Sequence, residues 1–199
     1  MNILKIAPVL MAALLAACAS PSPAPVLLTL PPAAMPAAIA PAAPASAPVL
    51  AVRRVNIPEY LVARRVRYRA DASTLAEWPN TYWAERIEIG VSREFVSAMR
   101  QQLPGWTLCD TNCGDRIPAL SLQVDLVPMD YLRASQKLQA HARITVSSGA
   151  TVPQVLQTQE LPYELPGVAD SAQAQAQAIA ELIRQVSAVA APMVKSARP

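Results

Sequence analysis

The chain has 199 residues, with seventeen Lys plus Arg against fourteen Asp plus Glu, a formal net charge of +3, one His and one Phe. That near-balance of charge argues against strong nucleic-acid binding. A lone His excludes a His-rich metal centre and makes any Ser-His-Asp or Cys-His catalytic set depend on His141.

The N-terminus carries one cation, Lys5, followed by an apolar run over 6–17. The run is too short to cross a hydrocarbon core of about 30 Å but suits a secretory signal. Leu15-Ala16-Ala17-Cys18 resembles a bacterial lipobox, in which cleavage before an acylated Cys leaves that residue as a lipid-bearing N-terminus. Residues 1–17 are therefore read as a lipoprotein signal peptide and Cys18 as the lipidation site. Two or three acyl chains give stable anchoring, and Ala19 in place of Asp resembles the pattern of lipoproteins sent to the outer membrane.

Residues 18–48 form a tether. Positions 19–48 contain nine Pro, eleven Ala and no charge, a composition that favours extended conformations and reaches at most about 90 Å. Val26-Leu27-Leu28-Thr29-Leu30 interrupts it with a β-prone apolar run. It reads either as an edge strand, with 31–48 as a loop, or as plain tether.

Residues 49–195 form one domain, of a size that supports its own core. A strand over about 49–55 ends before Pro58. Arg65, Arg67 and Arg69 alternate with Val66 and Tyr68, a half-buried strand with its arginines on one face, and a short strand over 74–77 can pair with it. Over 84–103, Ile87, Val91, Phe95, Met99 and Leu103 draw one helical stripe that Pro104-Gly105 stops. Strict alternation over 119–128 and 137–147 gives two neighbouring antiparallel strands joined through 129–136. A less regular strand over 154–161 follows. A helix over about 171–194, capped by Asp170 or Ser171, buries Ile179, Leu182, Ile183, Val186, Ala190 and Met193. Gln173, Gln175 and Gln177 read as solvated filler. The fold class is α+β, a mostly antiparallel sheet of about five strands with two helices.

Cys109 and Cys113 flank a turn-forming Asp110-Thr111-Asn112. In an oxidising compartment they read as a disulfide, with free thiols or a redox pair as alternatives. The spacing is not C-x-x-C, and zinc would need two further ligands. His141 falls on the outward face of its strand. Six arginines lie between Arg53 and Arg69; Arg65, Arg67 and Arg69 are candidate contacts to an acidic partner or to anionic headgroups, or else a solvated sheet face. Trp78, Tyr82 and Trp83 read as a loop cluster before the first helix, with Tyr82 and Trp83 as candidate contacts and Trp83 also suited to the core. No catalytic set, metal site or cofactor motif emerges.

The segments Ile57-Pro58-Glu59-Tyr60-Leu61 and Tyr82-Trp83-Ala84-Glu85-Arg86-Ile87, in order after the lipobox Cys and the short apolar strand, resemble the ABC-type transport auxiliary lipoproteins, the paraquat-inducible protein C-like group. The matching positions are Pro58, Tyr60, Leu61, Trp83, Ala84 and Glu85. Arg86 stands where Pro is common, and the Cys109/Cys113 pair is no hallmark of the family. The resemblance implies a non-enzymatic periplasmic lipoprotein anchored in the outer membrane. Its partners would be inner-membrane ABC transporter or mammalian-cell-entry (MCE) domain components that move lipid between the membranes. A tethered binding or scaffold lipoprotein, for outer-membrane protein assembly or the cell wall, is the alternative, and self-association is left open.

Overall fold

The computed structural model describes residues 23–32, 43–110, 113–150 and 152–197. The signal segment and Cys18 lie outside them. In chain order the elements are β1 (Val26–Leu28), β2 (Val49–Val52), a 3-10 turn (Glu59–Leu61), β3 (Arg65–Arg69), β4 (Leu75–Trp83), α1 (Ile87–Gln102), β5 (Thr107–Cys109), β6 (Leu120–Leu132), β7 (Lys137–Ser148), β8 (Val155–Pro166) and α2 (Ala172–Ser196).

The fold is α+β with two helices, but the sheet has eight strands and is mixed. Its order is β1-β4-β3-β6-β2-β5, with β7 on the other side of β6 and β8 outside β7. Pairing is antiparallel for β3–β4, β6–β7 and β7–β8, and parallel for β1–β4, β2–β5, β2–β6 and β3–β6. The expectation of a mostly antiparallel, five-stranded sheet is therefore corrected. Short apolar runs such as Val49–Val52 carry no local mark of direction, and antiparallel geometry is visible only where a hairpin joins neighbours.

The β6–β7 hairpin is the spine. Leu120, Leu122, Val124 and Leu126 are buried on β6, as are Leu138, Ala140, Ala142, Ile144 and Val146 on β7, matching the alternation in the sequence. β6 runs into the joint expected at 129–136, continuing to Leu132 past a register shift between Leu126 and Met129, while β7 starts at Lys137 as the alternation gives it. α1 presents Ile87, Val91, Phe95 and Met99, each at most 3% exposed, and burying such side chains stabilises the fold by about 1.5–3 kcal/mol apiece. α2 packs beside α1 and across β6, β7 and β8. Its first turn is capped by Ser171 Oγ, which accepts from Ala174 N at 3.1 Å.

The start of the described chain is fixed to the sheet edge. β1 runs parallel to β4 with Leu27 opposite Tyr82 and Leu28 opposite Trp83. β4 spans nine residues rather than a short segment, because a bulge absorbs its irregular middle: Arg65 pairs with Tyr82 while Arg67 pairs with Glu77. Inside the bulge Asn80 adopts φ 49°, and its Nδ2 donates to the carbonyls of Pro23 (2.6 Å) and Ala24 (2.9 Å). Leu30 is buried against Gly90 of α1, where an added Cβ would lie 3.5 Å from Leu30 Cδ1 and 3.3 Å from Glu85 Oε1.

Candidate functional site

β3 aims its arginines at carboxylates of this same chain. Arg65 Nη1 is 3.4 Å from Glu77 Oε2, and its guanidinium lies over the Tyr82 ring at 5.2 Å. Arg67 Nε donates to Glu77 Oε1 at 3.4 Å and Nη1 to the Tyr60 carbonyl at 2.9 Å. Arg69 Nη2 donates to Asp130 Oδ1 at 3.1 Å. Its Nε stands 3.0 Å from Oδ2, an ion-pair contact without hydrogen-bond alignment. Tyr60 Oη also donates to Asp130 Oδ1, at 2.9 Å. Burial, reinforced by the hydrogen bond to Asp130, pushes the Tyr60 phenol above its ordinary range. The bond to Asp130 likewise holds the Arg69 proton more tightly.

The candidates therefore divide. Arg65 and Arg67 meet at Glu77 on a partly exposed surface with Tyr82 beneath Arg65, Arg69 joins Tyr60 and Asp130, and Trp83 lies in the core at 5% exposure. The loop reading of Trp78, Tyr82 and Trp83 is corrected: all three stand on β4. Pro79 reads as a break in sequence, yet the bulge accommodates it. A cavity of about 280 Å³ beside Trp83, Ala84 and Glu85 reaches from Arg64 to the start of α1.

Asp130 and Glu77, which organise this surface, were not candidates in the sequence. Nor was the stack behind it. Arg133 lies over the rings of Trp78 (4.4 Å) and Tyr68 (5.0 Å), while its Nε and Nη2 donate to the two Asp170 oxygens at 2.8 and 3.1 Å. The Arg133 guanidinium holds the Asp170 carboxyl below its usual range. Gln175 is 3% exposed, which corrects its reading as solvated filler.

Cys109 and Cys113 form a disulfide with Cα atoms 5.2 Å apart. His141 is part-exposed, 3.7 Å from Glu160 Oε2. Among the described residues no group of three or more His, Cys, Asp or Glu could hold a metal ion. No helix among them is long and apolar enough to cross a membrane.

The fold is thus a mixed sheet with two helices, carrying an ion-paired arginine and tyrosine surface along β3 and β4. The chain belongs to the ABC-type transport auxiliary lipoprotein component family, whose model matches residues 28–188, from β1 into α2. Among curated proteins none shows significant similarity to the chain. Among solved structures, the chain is similar to an uncharacterized protein at 18% identity and TM-score 0.68, covering 86% of this chain and 99% of that one. It is also similar to protein XCC0632 from Xanthomonas campestris, of the DUF330 family, at 16% identity and TM-score 0.58, covering 87% of this chain and 94% of that one. At these identities the two structures speak for the fold alone.

Proposed function

We propose that this chain is a periplasmic lipoprotein, anchored in the outer membrane through acylated Cys18, that serves as a non-enzymatic auxiliary component of an ABC- and MCE-type lipid transport system. The observation that carries the reading is the family match, which runs over residues 28–188, from the end of β1 into α2. The partner is the periplasmic part of the transporter, and the contact surface is the partly exposed one of Arg65, Arg67, Arg69 and Tyr82.

The docked N-terminal segment adds a geometric consequence. Because Asn80 and β4 hold the chain from Pro23 onward, only the five steps from Cys18 to Pro23 separate the anchor from the domain. Fully extended they span about 17 Å, so an acylated Cys18 keeps the domain close to the membrane surface. The Pro/Ala-rich stretch after β1 then returns to β2 rather than extending the reach.

The reading is tested by fractionating cells that carry Cys18→Ala. The account expects the protein to move from the outer-membrane fraction to the soluble periplasm, and the variant to fail to restore envelope integrity in a deletion strain. A variant that stays in the outer-membrane fraction defeats the anchor, and a deletion without effect on envelope integrity defeats the transport role.

A further inference from the structure

The arginine-dense segment splits in space. Arg65, Arg67 and Arg69 face Glu77 and Asp130. Arg53 and Arg54, just past the end of β2, line a separate cavity of about 280 Å³ together with Arg100, Ile89, Val96 and Asp110. α1 supplies that wall with a second stripe. Ile89, Arg93, Val96 and Arg100 follow one another at helical spacing, on a different face from the core stripe of Ile87, Val91, Phe95 and Met99. The stripe mixes apolar with cationic groups, and Ile89 remains 42% exposed.

The cations here are not matched as those of β3 are. Arg93 is held by Glu85 and Glu94, at 2.5 and 3.1 Å. The side chains of Arg54 and Arg100, by contrast, make no hydrogen bond or ion pair among the described residues. Arg53 has a 3.3 Å bond from Nε to the neutral Ser121 Oγ. Asp110 is the one carboxylate in the lining. A second cavity, of about 600 Å³, shares Arg53, Arg54 and Asp110 with the first. Guanidinium groups gathered in one concavity repel each other, and an entering anion relieves that repulsion. Their planar forks match the oxygens of phosphate, and the adjacent Ile89 and Val96 suit carbon attached to it.

We infer that this cavity is a binding site for a phosphate monoester or diester group, gripped by Arg53, Arg54 and Arg100 with its flanking carbon on Ile89 and Val96. The site stands independently of the transport reading. An anionic phospholipid headgroup and a soluble phosphate both carry this chemistry.

The test is calorimetric titration of the full chain carrying Cys18→Ala, with dihexanoyl phosphatidylglycerol below its micellar concentration and, separately, with inorganic phosphate. The inference expects saturable, salt-sensitive binding of at least one probe, weakened about tenfold or more in the double variant Arg54→Ala/Arg100→Ala. Both arginines are exposed, so the fold should survive, and Arg54→Glu provides a second variant at the same site. Arg143→Ala/Arg184→Ala removes the same charge from positions paired to Glu160 and Glu181 and should leave binding unchanged. Tighter binding of the lipid probe assigns the site to a headgroup, and equal binding of the two assigns it to phosphate itself. Binding of neither probe, or an equal loss in the two double variants, overturns the inference.

Discussion

Trp78 on β4 donates its indole N–H to Gln175 Oε1 on α2 at 2.7 Å, across 97 positions of sequence. Gln175 Nε2 in turn donates to the Arg67 carbonyl, also at 2.7 Å. One buried amide thus ties the second helix to both strands of the arginine surface. Gln175→Leu leaves the indole N–H and the Arg67 carbonyl without partners and should cost about 2 kcal/mol in urea unfolding. Trp78→Phe combined with Gln175→Leu should cost less than the sum of the single changes, because the apolar pair strands fewer buried groups. Strict additivity in that cycle would count against the bond.

Docking of the N-terminal edge is separable from the rest of the sheet. Leu30→Asp places a carboxylate against Gly90 and α1 and should abolish the hydrogen-exchange protection of β1, while β6 and β7 keep theirs. The local loss amounts to about 2 kcal/mol, the scale of one buried Leu. Equal loss of protection in β6 and β7 would show that β1 is an integral part of the cooperative core.

Alkali should destabilise the domain through its tyrosines. Burial raises the phenols of Tyr60, Tyr131 and Tyr163 above their ordinary value of 10.0. A pKa higher in the folded than in the unfolded state contributes stability that is complete below the unfolded value and falls away as pH rises through the folded one. Phenolate absorbance followed together with circular dichroism should show part of the titration above pH 10 coinciding with loss of structure. Completion of the titration near pH 10 in an intact fold would contradict the burial of these rings.

The disulfide closes a loop at the end of β5, a three-residue edge strand. Cys109→Ser/Cys113→Ser, or reduction of the wild type, should lower stability by on the order of 2 kcal/mol and increase exchange in β5 with little change in β7. Unchanged stability on reduction would deny the bond a structural role.

How far the sequence discloses this molecule depends on the range of the interaction. Strands β6 and β7 are legible because period-2 alternation is local, and α1 and α2 because their apolar stripes repeat at helical spacing. Residues that act across the fold are hidden. Gln173 and Gln177 are exposed and Gln175 is buried, yet the three look alike in an alternating Gln-Ala run. Only the helical phase set by the packing of α2 turns the middle one to Trp78. The arginines of β3 are visible as a pattern, but their neutralisation by Glu77 and Asp130 depends on a bulge in β4 and on a partner strand 61 positions away. The Arg54 and Arg100 cavity is hidden for the same reason, since its two walls, the chain at the end of β2 and the α1 stripe, meet only in the fold.

The central claim is that this chain works as the auxiliary component of an envelope lipid transporter. The most direct measurement is affinity purification of the full-length, lipidated protein from gently crosslinked membranes, with mass spectrometry of what accompanies it and Cys18→Ala as control. The account predicts an inner-membrane protein with MCE domains, or an ABC permease, in the wild-type eluate and depleted from the control. An eluate holding only outer-membrane barrels or cell-wall proteins would contradict it.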